Sequence, residues 1–388
     1  MTAPPLGLYV HLPWCARKCP YCDFNSHAAS GAIPEDDYID ALLADLRYES
    51  AAVSGRILQS IFIGGGTPSL FSAAGVGRLL EGIAGRLPWA PGCEVTLEAN
   101  PGISDCVRFR GYRSAGVTRL SVGVQSFDDQ LLRAIGRIHD GRAAVEAVKA
   151  ALQAGFCELN IDLMYGLPGQ DTTRALSDVA TACGLGASHI SHYQLTIEPN
   201  TLFAARPPSL PPEVTIDACE TRAREHLKAA GYTQYEVSAF AVPGHECRHN
   251  LNYWTFGDYI GIGAGAHGKV TCPSTGRIER RAKQRDPKRY LRLAGGDEVN
   301  GSQRILQPSE ALFEFALNAM RLVGGFELKL FEARTGLPAA ALRRGLTRGE
   351  AMGLVRCQRG AVQITERGRR FVNDLVEGFM PDDSAGDC

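Results

Sequence analysis

A chain of 388 residues exceeds one average domain and suits a large domain with a smaller companion. Its apolar share of 45% and charged share of 21% are those of a soluble globular protein. A net charge of -1 provides no global field for nucleic acid or an acidic membrane, so nucleic acid is not the expected partner.

The opening MTAPPLGLYVHLPW lacks a basic region followed by a long apolar stretch, so it does not read as a secretory signal. No apolar run reaches the roughly 18 residues of a membrane span. Twelve cysteines without an export signal argue against a disulfide scaffold and for a reducing cytoplasm. Cys93, Cys106, Cys157 and Cys183 stand singly and read as inert thiols.

In chain order the predicted elements are strand 7–12, helix 34–53, strand 60–65, helix 73–87 and strands 94–99 and 119–125. Helix 141–155, strand 158–166, helix 172–184 and strand 189–195 follow. The helices show apolar positions at three- and four-residue spacing, and the strands read as near-continuously apolar. Such alternation implies parallel strands with right-handed crossovers. The α/β reading is a partial or full β/α barrel, with an open doubly wound sheet as the rival.

After Ala239, VPGHECRHNLNYWTFGDYIGIGAGAHG has no helical period and reads as ordered loops and strands. A basic, polar link is predicted over 276–304. From Pro308 to Phe379, helices precede a hairpin (LVRCQRGAVQIT) and a last helix, which predicts a winged-helix-like α+β domain. The expected divisions are 1–240, 241–305 and 306–380. The tail PDDSAGDC reads as disordered.

Basic charge is concentrated late in the chain. Eight Lys or Arg lie between Arg277 and Arg292, and ten between Phe326 and Arg370 against four acidic residues. Such runs are usually solvated faces. A winged helix with this charge also permits DNA binding with a steep salt dependence, although a regulator has no need of the barrel that precedes it.

WCARKCPYCDF places Cys15, Cys19 and Cys22 in the loop after the first strand. Three thiolates can hold three irons of a [4Fe–4S] cube, leaving the fourth iron open to a small molecule. Phe24 stands where a further cysteine would close a four-thiolate site. The competing reading is a zinc site completed by His27 or His11, but zinc sites usually split their ligands into two pairs and no second pair follows. Tyr21 precedes the last cysteine.

Other chemistry-bearing residues fall at the carboxyl ends of successive strands, where a β/α barrel builds its site. GGGTP (64–68) follows the second strand, Glu98 ends the third, Gln125 ends the fourth, and Asp162 lies late in the fifth. Glycines admit close approach of a ligand to backbone. Glu98 and Asp162 are acceptors for ribose hydroxyls or an ammonium. Arg137 offers a fork for a carboxylate.

With these residues in view, the chain resembles the oxygen-independent coproporphyrinogen oxidase family of radical S-adenosylmethionine (SAM) proteins. The motifs are YVHLPWCARKCPYCDF, GGGTPS, LEANP, VGVQSF, IGRIHD and IDLMYGLPGQ. The likeness runs from Tyr9 to about His267, and more loosely beyond. It implies a radical SAM partial barrel, a [4Fe–4S] cluster, an external electron donor, and reductive cleavage of SAM to methionine and a 5′-deoxyadenosyl radical. It implies SAM contacts at Tyr9, Gly65, Gly66, Thr67, Glu98, Gln125, Arg137 and Asp162.

The family has an oxidase branch, which decarboxylates two propionates of coproporphyrinogen III, and a haem-chaperone branch. Phe24, the few residues before Tyr9, and HNLNYW (249–254) place this sequence nearer the chaperones. That implies haem as cargo and a haem-acceptor protein, with a membrane respiratory enzyme, met through the basic carboxyl-terminal half, as the expected one. His249 is then the proposed haem-iron ligand, with Tyr253 and Trp254 flanking the macrocycle and Arg248 near a propionate. Residue chemistry alone leaves open that His249 only satisfies backbone groups in a turn. Cys247 and His267 are further candidate ligands.

Overall fold

The chain is described as a computed structural model over residues 2–103 and 106–381; residues 382–388, most of the tail read as disordered, lie outside the described residues. A period of two organises the strands. In LGLYVHL, Leu6, Leu8, Val10 and Leu12 are buried, and the pattern repeats at Ile61 and Ile63, Val95 and Leu97, Leu120 and Val122, and Leu159 and Ile161. These side chains join those of the surrounding helices in one core. The intervening residues point to the opposite face: Tyr9, His11, Ser60, Glu94, Glu98, Arg119, Ser121, Asn160 and Asp162. The strands are thus not continuously apolar, as the sequence reading had them. They are apolar toward the helices and polar toward the barrel interior.

Strands β1 (Leu6–Leu12), β2 (Leu58–Gly65), β3 (Trp89–Ala99), β4 (Arg119–Gln125), β5 (Glu158–Tyr165) and β6 (His189–Gln194) are parallel neighbours in that order. The crossover helices include Glu35–Ser50, Ala73–Ala84, Gly141–Gln153 and Thr172–Gly184. Three of them start at a side-chain cap: Ser72, Asp140 and Asp171 each accept a bond from the peptide N–H three residues on.

The region after Ala239 departs from the sequence reading. HNLNYW lies in a helix, Arg248–Trp254. It is followed by β7 (Asp258–Ile262), which pairs in parallel with the outer edge of β1, Tyr9 opposite Gly261. Strands β8 (His267–Thr271), β9 (Ile278–Lys283) and β10 (Asn300–Ile305) continue the same sheet antiparallel. The predicted link over 276–304 is therefore mostly β9, a helix Pro287–Leu293 and β10. Its basic side chains misled because several are paired within the fold. Lys283 Nζ bonds Asp45 at 2.7 Å and Glu49 at 2.5 Å. Arg281 pairs with Glu49 and Glu279, and Arg280 with Glu314. Among the described residues the sheet has twelve strands, seven of them parallel (β7 and β1–β6), and it forms a partial barrel.

The carboxyl-terminal region has its own core around Phe315, Phe326 and Phe331. Helices Pro308–Ala319, Leu328–Thr335 and Arg343–Ala351 precede the hairpin Val355–Gln358 with Ala361–Ile364. Arg359 and Gly360 turn it with φ of 51° and 82°, the left-handed pair that suits strand twist in a two-residue loop. This is the winged-helix-like arrangement expected from the sequence.

Candidate functional site

Polar residues fill the barrel in layers. Near the amino-terminal ends of the strands, Arg119 bonds Glu94 at 3.0 Å and Glu158 at 2.8 Å. Above that layer Asn160 donates to Ser121 at 2.8 Å, His189 bonds Asn160 at 2.6 Å, and Tyr235 bonds His189 at 2.9 Å. The carboxyl ends of the strands then open into a cavity of about 430 Å³.

The loop after β1 supplies one wall. Cys15, Cys19 and Cys22 all line the cavity as free thiols. The loop is held from within: the Cys22 N–H donates to the Cys19 carbonyl, and Lys18 Nζ donates to the carbonyls of Phe24 and Ser26. Pairing of Trp14–Cys15 with His27–Ala28 closes its base. Burial pushes the Cys15 and Cys22 thiols up, so metal binding must displace their protons. Among the described residues, no group of three or more His, Cys, Asp or Glu converges as a single ion requires. His11 has both ring nitrogens engaged, by Tyr9 and the Asn25 carbonyl, and neither His11 nor His27 lines this cavity. Three thiols on one cavity wall suit three irons of an iron–sulfur cube.

The opposite wall comes from the other strand ends. Gly65 has a φ of 116°, and a Cβ on Gly66 would lie 2.5 Å from the Trp14 carbonyl oxygen. The glycines therefore serve first to press β2 against the cysteine loop. The N–H groups of Gly66 and Thr67 donate to Leu12 and Trp14, not to the cavity. Gly65 N–H donates to Glu98 at 3.2 Å. Asp162 accepts from Ser121 at 3.2 Å and Asn160 at 2.7 Å. These donors are neutral. Burial, and then the charge of Asp162, lift the Glu98 carboxyl to about 8, and burial also raises Asp162. Two partly buried carboxylates with neutral donors fit a ligand that carries a cation and hydroxyls, as SAM does.

Gln125 takes a left-handed φ of 71° at a register break between β4 and β5, strain of a kind that clusters at functional sites. Tyr193, at the end of β6, donates to its Oε1 at 2.6 Å. The sequence reading missed Tyr193, although its strand-end position was the usable signal. Arg137 is half-buried beside Tyr21 and donates to the Gly123 carbonyl and to Cys19 Sγ, the latter at 3.7 Å. Tyr21 lines the same cavity. Tyr9 instead lines an adjoining cavity of about 970 Å³, which shares Gly65, Glu98, Asp23 and Phe24 with the first.

His249 lines neither cavity. Its ring lies inside the barrel, 1% exposed, with Nδ1 bonded to Ser60 Oγ at 2.9 Å and Nε2 buried without a partner. Burial lowers its pKa to about 3. Arg248 reaches the Gly92 carbonyl, Cys247 bonds Glu94, and Arg321 lies over the Trp254 ring. Of that motif only Tyr253 reaches the second cavity.

A family profile described as Radical SAM superfamily matches residues 9–175, and one described as HemN C-terminal domain matches 306–371. The chain is 48% identical to the heme chaperone HemW of Escherichia coli (strain K12) over 377 residues, covering 97% of this chain and 98% of that protein. It is 47% identical to the heme chaperone HemW of Haemophilus influenzae (strain ATCC 51907 / DSM 11121 / KW20 / Rd), covering 98% and 99%. Among solved structures, coproporphyrinogen III oxidase (HemN) from Escherichia coli, described as a radical SAM enzyme, superposes with a TM-score of 0.82 at 22% identity. That match covers 97% of this chain and 90% of that one, a likeness of fold. Fold and thiol-lined cavity together define a radical SAM protein. Within that class, the chain belongs to the heme chaperone HemW family.

Proposed function

We propose that the chain binds haem and passes it to an acceptor protein, with a [4Fe–4S] cluster on Cys15, Cys19 and Cys22 and SAM in the cavity beside it. The observation that carries this is one cavity lined by three free thiols, Glu98, Gln125 and Asp162 in a chain with near full-length kinship to haem chaperones. When bound, cluster and SAM supply the one-electron reductive cleavage of a sulfonium. The chain's own part is to position and shield. Glu98 and Asp162 take the ligand's cation and hydroxyls, Gln125 is held by Tyr193, and Arg137 sets the Cys19 sulfur.

An external reductant feeds the cluster in this reading. The acceptor is a membrane respiratory enzyme, met through the carboxyl-terminal domain, where Arg343, Arg356, Arg359 and Arg367 are exposed. No helix among the described residues is long and apolar enough to cross a membrane.

The test uses anaerobically reconstituted protein. It should carry about four irons per chain, lose them in Cys15→Ala, Cys19→Ala or Cys22→Ala, and bind equimolar haem. With SAM and a reductant it should leave coproporphyrinogen III unchanged. Robust conversion of that substrate, without saturable haem binding, would transfer the chain to the oxidase reading.

A further inference from the structure

Cys19 lines the SAM cavity and also a separate depression of about 10 Å³, framed by Arg17, Gly136 and Ile138. That is room for about one water, so the side chains standing around it, not its interior, are what another molecule meets. Cys15 is buried, whereas Cys19 is part-exposed and brings one thiolate of the cluster site to the surface. Two short helices buttress the loop at this point. Just past helix Asp129–Ala134, a Cβ on Gly136 would lie 2.7 Å from Pro20 Cδ. In helix Leu202–Ala205 the Phe203 N–H donates to the Pro20 carbonyl at 2.9 Å.

Around these contacts Arg17, Lys18, Arg133 and Arg206 are exposed and make no ion pair among the described residues. Lys18 is held by two loop carbonyls, which leave its charge uncompensated. Ile138 is 48% exposed and Leu202 58%. The acidic residues of the same elements are largely engaged: Asp128 and Asp140 cap helices, Asp129 accepts the Gly141 N–H, and Asp23 lines the two large cavities. Against a whole-chain net charge of -1, this cationic collar is a local feature. Electron transfer weakens steeply with distance, so a donor protein must seat close to a ligand of the cluster, and complementary charge steers it there. Resting on the reading of an externally reduced cluster, we propose that this face docks the reductant, a small acidic one-electron carrier protein, and that the electron enters at Cys19. One electron leaves the carrier's centre, which is oxidised, and the cluster is reduced by it; no atom moves. Arg17, Lys18, Arg133 and Arg206 meet the carrier's carboxylates, and Ile138 and Leu202 exclude water between them.

The reconstituted full-length chain, reduced with dithionite and freed of excess, is mixed without SAM against an oxidised plant-type [2Fe–2S] ferredoxin, an acidic one-electron carrier. Transfer in this direction uses the same contact, and loss of the reduced-cluster EPR signal reports its rate. The rate should fall as salt rises past about 0.1 M, where exposed charges are screened. Arg133→Glu with Arg206→Glu should slow transfer at low salt at least about tenfold, the lower end of electrostatic steering. That variant should keep its iron content and its rate with benzoquinone, a small uncharged oxidant that needs no docking. Arg356→Glu with Arg359→Glu, on the wing, should leave both rates at the parental value. A collar variant with the parental ferredoxin rate overturns the surface, as does equal slowing by the wing variant, or a parent that benzoquinone oxidises and ferredoxin does not. A chain that takes up no iron overturns the cluster reading and this surface with it.

Discussion

Glu98 shows how a carboxyl set in a cavity wall makes stability depend on pH. Its carboxyl is lifted from an ordinary value near 4.5 to about 8 by burial and by the charge of Asp162. The folded chain therefore holds a proton there that the unfolded chain releases. Between those two values stability falls as pH rises, because the folded state binds the more protons. In the chain free of SAM, Glu98→Gln removes this dependence. The variant should match the parent near pH 4 and exceed it by up to about 5 kcal/mol above pH 8; urea unfolding at both pH values measures the difference. The same variant should bind SAM more weakly, seen as a smaller change that SAM induces in the EPR spectrum of the reduced cluster. A difference between parent and variant that stays constant over that interval would show that Glu98 titrates normally.

At the scale of elements, the barrel is held by charge as well as by its apolar core. Arg119 ties β3, β4 and β5 through Glu94 and Glu158, and its side chain is 3% exposed. Arg119→Met fills similar volume but leaves buried Glu94 without its cation. The expected loss is about 3–5 kcal/mol, since breaking a buried pair strands a charge; the readout is the denaturation midpoint. Glu94→Gln in the same chain should recover part of it.

The same alternation explains what was legible in the sequence. All six strands of the β/α repeat were found within a few residues, because their helix-facing side chains are uniformly apolar. That Glu98, Gln125 and Asp162 would share one cavity was legible from topology, since parallel strands bring their carboxyl ends together. What escaped depends on contacts distant in sequence. Arg248–Trp254 makes two turns, too short for a helical period to stand out, and only the tertiary fold decides that His249 faces Ser60 while Tyr253 faces the cavity. β9 was hidden because its Lys283 is buried by acidic residues more than two hundred positions earlier.

At the scale of the molecule, Phe256 joins the two cores. It is 1% exposed, holds a left-handed φ of 54°, meets Phe315 at 5.8 Å, and lies 4.2 Å beneath Lys269 Nζ. Phe256→Ala removes that joint and should cost about 3–5 kcal/mol. Limited proteolysis should then cut near residues 306–308 and release the carboxyl-terminal domain, while the barrel keeps its cluster. Unchanged digestion would mean that other contacts hold the domains together.

Phe256 lies only two residues beyond Trp254 and three beyond Tyr253, one ring in the joint and the other in the wall of the second cavity. The segment that packs on the carboxyl-terminal core thus runs within three residues into that wall. Coupling between two binding sites is reciprocal. On the carrier reading proposed above, whatever free energy a partner on the wing contributes to loosening bound haem, the departure of haem returns in equal measure to the partner's grip. On that reading an empty carrier and a laden one differ in their hold on the partner.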